Sequence, residues 1–258
     1  MFIFLLSFIL CGCFGHETQA KPDSTQFLEI DHIHEEHPGN HKATLIFLHG
    51  MNGFVDNQLS MIKEKGFFER LGPNVRIVAP QIRTTGLNPE RQWFPYRMVP
   101  WETRTESVAS KKQIDLTAQP LIEIIDAEAK RFRGDYSSIF VFGYSQGGMV
   151  AEWIGLMSNR PLGGVVSYLG MFPVLETTAV SQAGQNVPIA HFHDREDTVV
   201  RFHLAEAGAR VASTAGAKKY GQIHETQVNG STHHGLSKKA LAEASNWIAD
   251  RMRELGIL

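Results

Sequence analysis

The stretch SSIFVFGYSQGGMVAEW, Ser137 to Trp153, constrains the fold more than any other part of the chain. A short run of β-branched and aromatic residues feeds directly into Gly143-Tyr144-Ser145-Gln146-Gly147. Apolar residues Met149, Val150, Trp153, Ile154 and Met157 then recur at helical spacing. A strand that turns abruptly into a helix leaves no room for bulky neighbours, so the glycines flanking Ser145 let its hydroxyl stand exposed. This pattern predicts a nucleophile elbow with Ser145 as the candidate nucleophile.

At 258 residues, 43% hydrophobic and 20% charged, the chain suits one α/β domain, expected over residues 27–258, that buries roughly 70–75% of its unfolded surface. A net charge of -2 without long runs of like charge offers no basic field for nucleic acid, so no nucleic-acid partner is expected. Both cysteines, Cys11 and Cys13, fall in the opening segment, which leaves the rest of the chain without a disulfide or a thiol nucleophile.

Residues 1–20 read as an apolar leader, either a signal peptide or a lipid or membrane anchor. MFIFLLSFIL is too short for a spanning helix and has no early Lys or Arg, and Leu10-Cys11-Gly12-Cys13 is similar to an imperfect lipoprotein processing box. Export or membrane association is therefore expected, with a cytoplasmic location as the alternative.

Strands are predicted at Phe27–Ile33 on an edge and at Ala43–Leu48, Val75–Ala79, Ile139–Phe142, Val165–Leu169, Ile189–Phe192 and Ile223–Val228. Helices are expected over Asn57–Leu71, Glu106–Phe132 with a break or new start at Pro120, the stretch after Ser145, Phe202–Thr214 and Lys238–Leu255. The alternation implies a mainly parallel central sheet covered by helices on both faces. Residues 80–105 form a long irregular stretch, a length that usually marks function. The histidine-rich piece from His32 to His41 reads as a solvated edge rather than a metal site.

A serine hydroxyl needs a base to take its proton and a carboxylate to orient that base. In the elbow fold these follow in the order Ser, Asp or Glu, His, each at the carboxyl end of a strand. The strand at 189–192 leads into Asp194, Glu196 and Asp197, and the strand at 223–228 leads into His233 and His234. Asp194 suits a loop hydrogen-bonding role and Glu196 a solvated one. His234 has the better spacing from Ser237, the predicted cap of the last helix, whereas His233 is three residues from Gly230; either can serve as base. The oxyanion needs two backbone N–H donors, one after the nucleophile at Gln146 and one at Met51, in the His49-Gly50-Met51 loop.

With these residues in place, the chain from Ala43 onward resembles the acyl-protein thioesterase, or phospholipase/carboxylesterase, family of α/β-hydrolases. The carriers are Ile46-Phe47-Leu48-His49-Gly50, Gln92-Trp93-Phe94, Phe142-Gly143-Tyr144-Ser145-Gln146-Gly147-Gly148, His193 with Asp197 and Val200, and the His233-His234 pair. The resemblance implies a cofactor-free and metal-free serine hydrolase acting on acyl esters or thioesters, with lipidated proteins, lysophospholipids or small esters as substrates. It selects Asp197 as the acid, giving Ser145, Asp197 and His234 or His233 as the triad and Met51 with Gln146 as the oxyanion donors. Trp93 and Phe94, with Tyr96, Met98 and Trp101, are expected either to line an acyl-accepting groove or to pack onto the core. The chain departs from the family where Asn52-Gly53-Phe54 follows Met51, where Asp194 follows His193, and where Pro95-Tyr96 follows Phe94. A non-catalytic binding protein on the same scaffold is the rival class.

Overall fold

A computed structural model describes residues 30–36, 40–85, 89–95, 109–174, 179–228 and 230–258. The leader, Tyr96, Met98, Trp101 and His37 lie outside the described residues, as do the side chains of His32 and His34.

Seven strands form one sheet: β1 (Ile30–Glu36), β2 (Ala43–Leu48), β3 (Val75–Ile82), β4 (Ile139–Tyr144), β5 (Gly164–Tyr168), β6 (Ile189–Asp194) and β7 (Tyr220–Thr226). Their spatial order is β1-β3-β2-β4-β5-β6-β7. All pairings are parallel except that of β1 with β3. That antiparallel partner carries β3 to Ile82, past the expected end at Ala79, by pairing Ile30 with Ile82.

Alternate side chains along each strand point to opposite faces, and both faces are covered. Leu45, Phe47, Phe140 and Phe142 meet α1 (Val55–Glu64), α2 (Phe67–Leu71) and α6 (Lys238–Glu254) on one side. Ile46, Leu48, Ile139 and Val141 meet α3 (Lys111–Arg131), α4 (Gln146–Met157) and α5 (Phe202–Thr214) on the other. The apolar continuity of these strands in the sequence is the direct consequence of double burial.

Two expectations need correction. The helix expected over Asn57–Leu71 is split, because Gly66 adopts φ +73 and terminates the first segment with backbone bonds from Lys65 and Gly66 to Ile62 and Lys63. Pro120 neither breaks nor restarts a helix: α3 runs through it. A proline there forfeits one backbone bond, but Ile114, Ala118, Leu121 and Ile125 are each buried to 2% exposure or less along the same face. A capping box at Ser110 and Gln113 secures its start.

From β2 the chain crosses to β3 on one side, and it later enters β4 on the other, so the carboxyl ends of β2 and β4 diverge at a topological switch point. Open α/β sheets place ligands at such crevices.

Candidate active site

The loops after β2, β4, β6 and β7 converge on that crevice. Ser145 stands between β4 and α4 with φ 55 and ψ -120, a conformation that few side-chain-bearing residues adopt. The turn is tight enough that a Cβ on Gly143 would sit 2.1 Å from the Gly147 carbonyl oxygen, and one on Gly147 would sit 2.2 Å from the Leu48 carbonyl oxygen. Glycine at both positions is therefore a steric requirement of the elbow. The backbone N–H of Ser145 is tied to Tyr168 O at 2.8 Å, which locks the turn to the end of β5.

His234 Nε2 lies 2.7 Å from Ser145 Oγ, and His234 Nδ1 lies 2.6 Å from Asp197 Oδ2. Asp197 is fully buried; its second oxygen accepts from the N–H groups of Val199 and Val200 at 2.7 and 2.9 Å. Those bonds replace the hydration that the side chain loses on burial. Such a hydroxyl–imidazole–carboxylate line can move a proton from the oxygen to the ring and hold the resulting imidazolium.

Of the two histidines, the structure brings His234 to the hydroxyl. His233, at φ 51, turns the other way, with Nδ1 3.6 Å from Asp194 and Nε2 3.3 Å from the exposed Glu196. Asp194 instead holds loops together, accepting from the N–H groups of Glu196 and Val228. The two loops are joined again where Thr198 N donates to Thr232 O at 2.9 Å. Ser237 caps α6 by accepting from Ala240 N, which anchors the chain just after the histidine.

Gln146 is the first residue of α4, so its N–H belongs to the set with no intrahelical acceptor. Met51 is half-buried in the turn after β2, where Gly53 N closes on Gly50 O at 2.9 Å and Gly50 N donates to Gln58 Oε1 at 3.2 Å.

His49 beneath that turn is fully buried. Its Nδ1–H donates to Gly50 O at 2.7 Å, leaving Nε2 to accept from Ile82 N. Burial, the leading cause, lowers its pKa to about 4, so the ring is neutral.

Trp93 and Phe94 are each 0% exposed and belong to the core on the α3–α4 side, packed as part of it among the described residues. Trp93 Nε1 donates to His49 O at 2.7 Å, and the Gln146 side chain bridges Trp93 N and Phe94 O at 2.8 and 2.9 Å. The two aromatic residues thus brace both loops that carry Met51 and Gln146.

Sequence reasoning missed two sets of supports. Tyr144 and Tyr168, at the ends of β4 and β5, reach across to the histidine loop: Tyr144 OH donates to His234 O at 2.7 Å, and Tyr168 OH accepts from Ser237 N at 2.9 Å. Beneath β6, Glu152, Tyr220, His191 and His193 form a buried polar line. Its sequence signals were His191 and His193 at alternate positions of one strand, hence on one face, and the lone charged residue of helix α4.

The family described as phospholipase/carboxylesterase matches residues 31–251. The chain is 30% identical to a probable carboxylesterase of Oryza sativa subsp. japonica over a match spanning 63% of this chain and 66% of that protein. It is 23% identical to acyl-protein thioesterase 1 of Yarrowia lipolytica, over 83% of this chain and 94% of the relative. The solved structure of acyl-protein thioesterase 2 from Zea mays superposes with a TM-score of 0.67 at 16% identity, covering 86% of this chain and 99% of that one; at that identity the likeness concerns the fold.

Proposed function

Because the chain belongs to the phospholipase/carboxylesterase family in the α/β-hydrolase fold, we propose that Ser145 is its nucleophile, His234 the general base and Asp197 the carboxylate that orients it. The chain stands among the serine hydrolases that cleave carboxylic esters and thioesters. The observation that carries the residue assignment is the continuous line from Ser145 Oγ through His234 to Asp197, with separations of 2.7 and 2.6 Å.

In this reading Ser145 attacks the acyl carbonyl as His234 Nε2 takes its proton, and the N–H groups of Met51 and Gln146 receive the oxyanion. His234 then gives the proton to the departing alcohol or thiol. Water, activated by the same ring, releases the acyl group. Ser145→Ala lowers kcat by on the order of 10⁴-fold or more while leaving the fold intact. A fluorophosphonate labels the native chain at Ser145; labelling elsewhere, or retained turnover in the variant, refutes the assignment.

The finer substrate we infer is a long-chain acyl thioester or ester, as on a lipidated protein or a lysophospholipid. The named thioesterase relative supports it, and so does the apolar leader of residues 1–20, which favours export or membrane association. Rates on p-nitrophenyl esters and acyl thioesters of rising chain length test the substrate; a preference for acetate rules out the lipid reading. Intact mass of the protein purified from its native source reports whether the leader is removed or acylated.

A further inference from the structure

The acid–base line at Ser145 continues below Asp197. His193 Nε2 lies 2.7 Å from Val200 O and 3.5 Å from Asp197 Oδ2. His193 Nδ1 lies 3.2 Å from His191 Nε2, and His191 Nδ1 lies 3.1 Å from Tyr220 OH. Tyr220 OH is 2.5 Å from Glu152 Oε2, and Glu152 Oε1 is 3.4 Å from His191 Nδ1. Glu152, His191 and His193 are each 0% exposed.

One end of this chain dictates the rest. A carbonyl oxygen only accepts, so His193 Nε2 carries a hydrogen. A neutral ring then has a lone pair at Nδ1, and His191 Nε2 must be the donor to it. His191 Nδ1 is left as an acceptor, so the Tyr220 hydroxyl donates to His191. Tyr220 oxygen can satisfy its short contact with Glu152 only by accepting a hydrogen from the carboxyl.

We propose that Glu152 is a protonated carboxylic acid in the working enzyme, and that through Tyr220, His191 and His193 it is a positioning residue for the Asp197–His234 pair. The proposal rests on the assignment of that pair to catalysis.

When Glu152 ionises, its proton passes to the Tyr220 oxygen as the Tyr220 hydrogen passes to His191 Nδ1, the His191 Nε2 hydrogen to His193 Nδ1, and the His193 Nε2 hydrogen leaves on the side of Asp197. The His193 Nε2 lone pair now opposes Val200 O and Asp197. The bond from His193 to the Asp197–Val200 loop is lost, which loosens the seat of the Asp197–His234 pair. One deprotonation therefore switches the site from held to slack.

The groups facing this unit are Tyr220 and His224 from β7, Ser167 from β5 with the Gly170 carbonyl beyond it, the two histidines of β6 with Asp194 and Asp197 after them, and His234, while α5 brings the apolar ring of Phe202 against His193. Burial pushes Glu152 up to about 7 and holds His191 well below the ordinary histidine range, and both shifts favour the neutral forms that this arrangement needs. The Tyr220 hydroxyl is raised well above its ordinary value, so its own proton does not leave in the same range.

The test is a pH profile of kcat/KM on a soluble ester, from pH 5.5 to 9, set beside long-range ¹H–¹⁵N spectra of the histidine rings. The native enzyme is expected to lose activity above neutral pH with a slope of one proton. Glu152→Gln, whose amide can donate to Tyr220 but cannot ionise, is expected to lack the falling limb. In the native protein the spectra are expected to show hydrogen at Nε2 of both His191 and His193 below neutral pH, moving to Nδ1 above it. A falling limb that persists in Glu152→Gln, a native profile without one, or a His193 hydrogen on Nδ1 at low pH overturns the proposal. The ring spectra are independent of turnover, so a failure of Ser145 as nucleophile is seen separately, in Ser145→Ala.

Discussion

The hydroxyl of Tyr144, the residue just before Ser145, donates to the backbone carbonyl of His234 at 2.7 Å. The elbow therefore holds the histidine loop directly, across 90 residues of sequence. The Tyr144 ring also lies 5.6 Å from the imidazole, centroid to centroid. Tyr144→Phe keeps that ring contact and removes one part-buried bond, worth about 1 kcal/mol. The expected result is a fall of roughly fivefold in kcat with KM little changed, since the histidine and not the substrate is displaced. An unchanged kcat counts against the bracing role.

Gly147 meets backbone, not a movable side chain: its added Cβ would lie 2.2 Å from Leu48 O and 2.6 Å from His49 O. Neither carbonyl can retreat without moving the loop that holds Met51. Gly147→Ala should cost about 3 kcal/mol of stability, the upper end of overpacking, and should abolish turnover even in the fraction that folds. Urea denaturation with fluorophosphonate labelling of the soluble protein measures the two effects separately.

Trp93 tests the difference between lining and bracing. Its indole N–H holds His49 O from behind the loop, so Trp93→Phe should lower kcat severalfold while the preference among acyl chain lengths stays as in the native enzyme. A shift in chain-length preference would instead put this ring in the acyl groove.

The legible parts of the molecule were those written in short-range pattern. Ser145 was readable because an elbow needs small residues at fixed offsets, and β2, β4 and β5 because strands buried on both faces are continuously apolar. The order of Ser145, Asp197 and His234 was readable because parallel strands deliver their carboxyl ends to one side of the sheet. What escaped depended on contacts between distant segments. Pro120 reads as a breaker by local rules, yet the burial of Ala118 and Leu121 on either side of it outweighs one lost bond. The choice between adjacent histidines turned on backbone geometry at His233, whose positive φ sends its ring towards Asp194. The roles of Trp93 and Glu152 depended on partners 44 and 68 residues away, which no local pattern could supply.

His49 makes the fold acid-sensitive. Its pKa falls from 6.5 to about 4 on burial, so between those values the unfolded chain binds a proton that the folded one refuses. Stability from this group is complete above pH 6.5 and declines as pH falls towards 4, by about 3 kcal/mol in all. His49→Gln removes this ionisation. The variant should lose less stability than the native protein between pH 6.5 and pH 4.5 when both are melted side by side, even if it is less stable at pH 7; parallel losses would show that His49 is not the group responsible.

Glu152 has the opposite sign. Burial raises its pKa from 4.5 to about 7, so the folded protein holds a proton that the unfolded chain has already released. The stability associated with this carboxyl is complete below pH 4.5 and is lost as pH rises through about 7, a change of about 3 kcal/mol. The residue is tolerated because the acid form satisfies Tyr220; the ionised form leaves a charge with no cation among its partners in the buried line. Glu152→Gln retains a donor for Tyr220 and introduces no charge, so it should melt well above the native protein at pH 8.5, and the gap should narrow steadily as pH is lowered to 5. A gap that is constant across this range would mean that the carboxyl does not titrate there, and the alkaline loss of activity would then need another source.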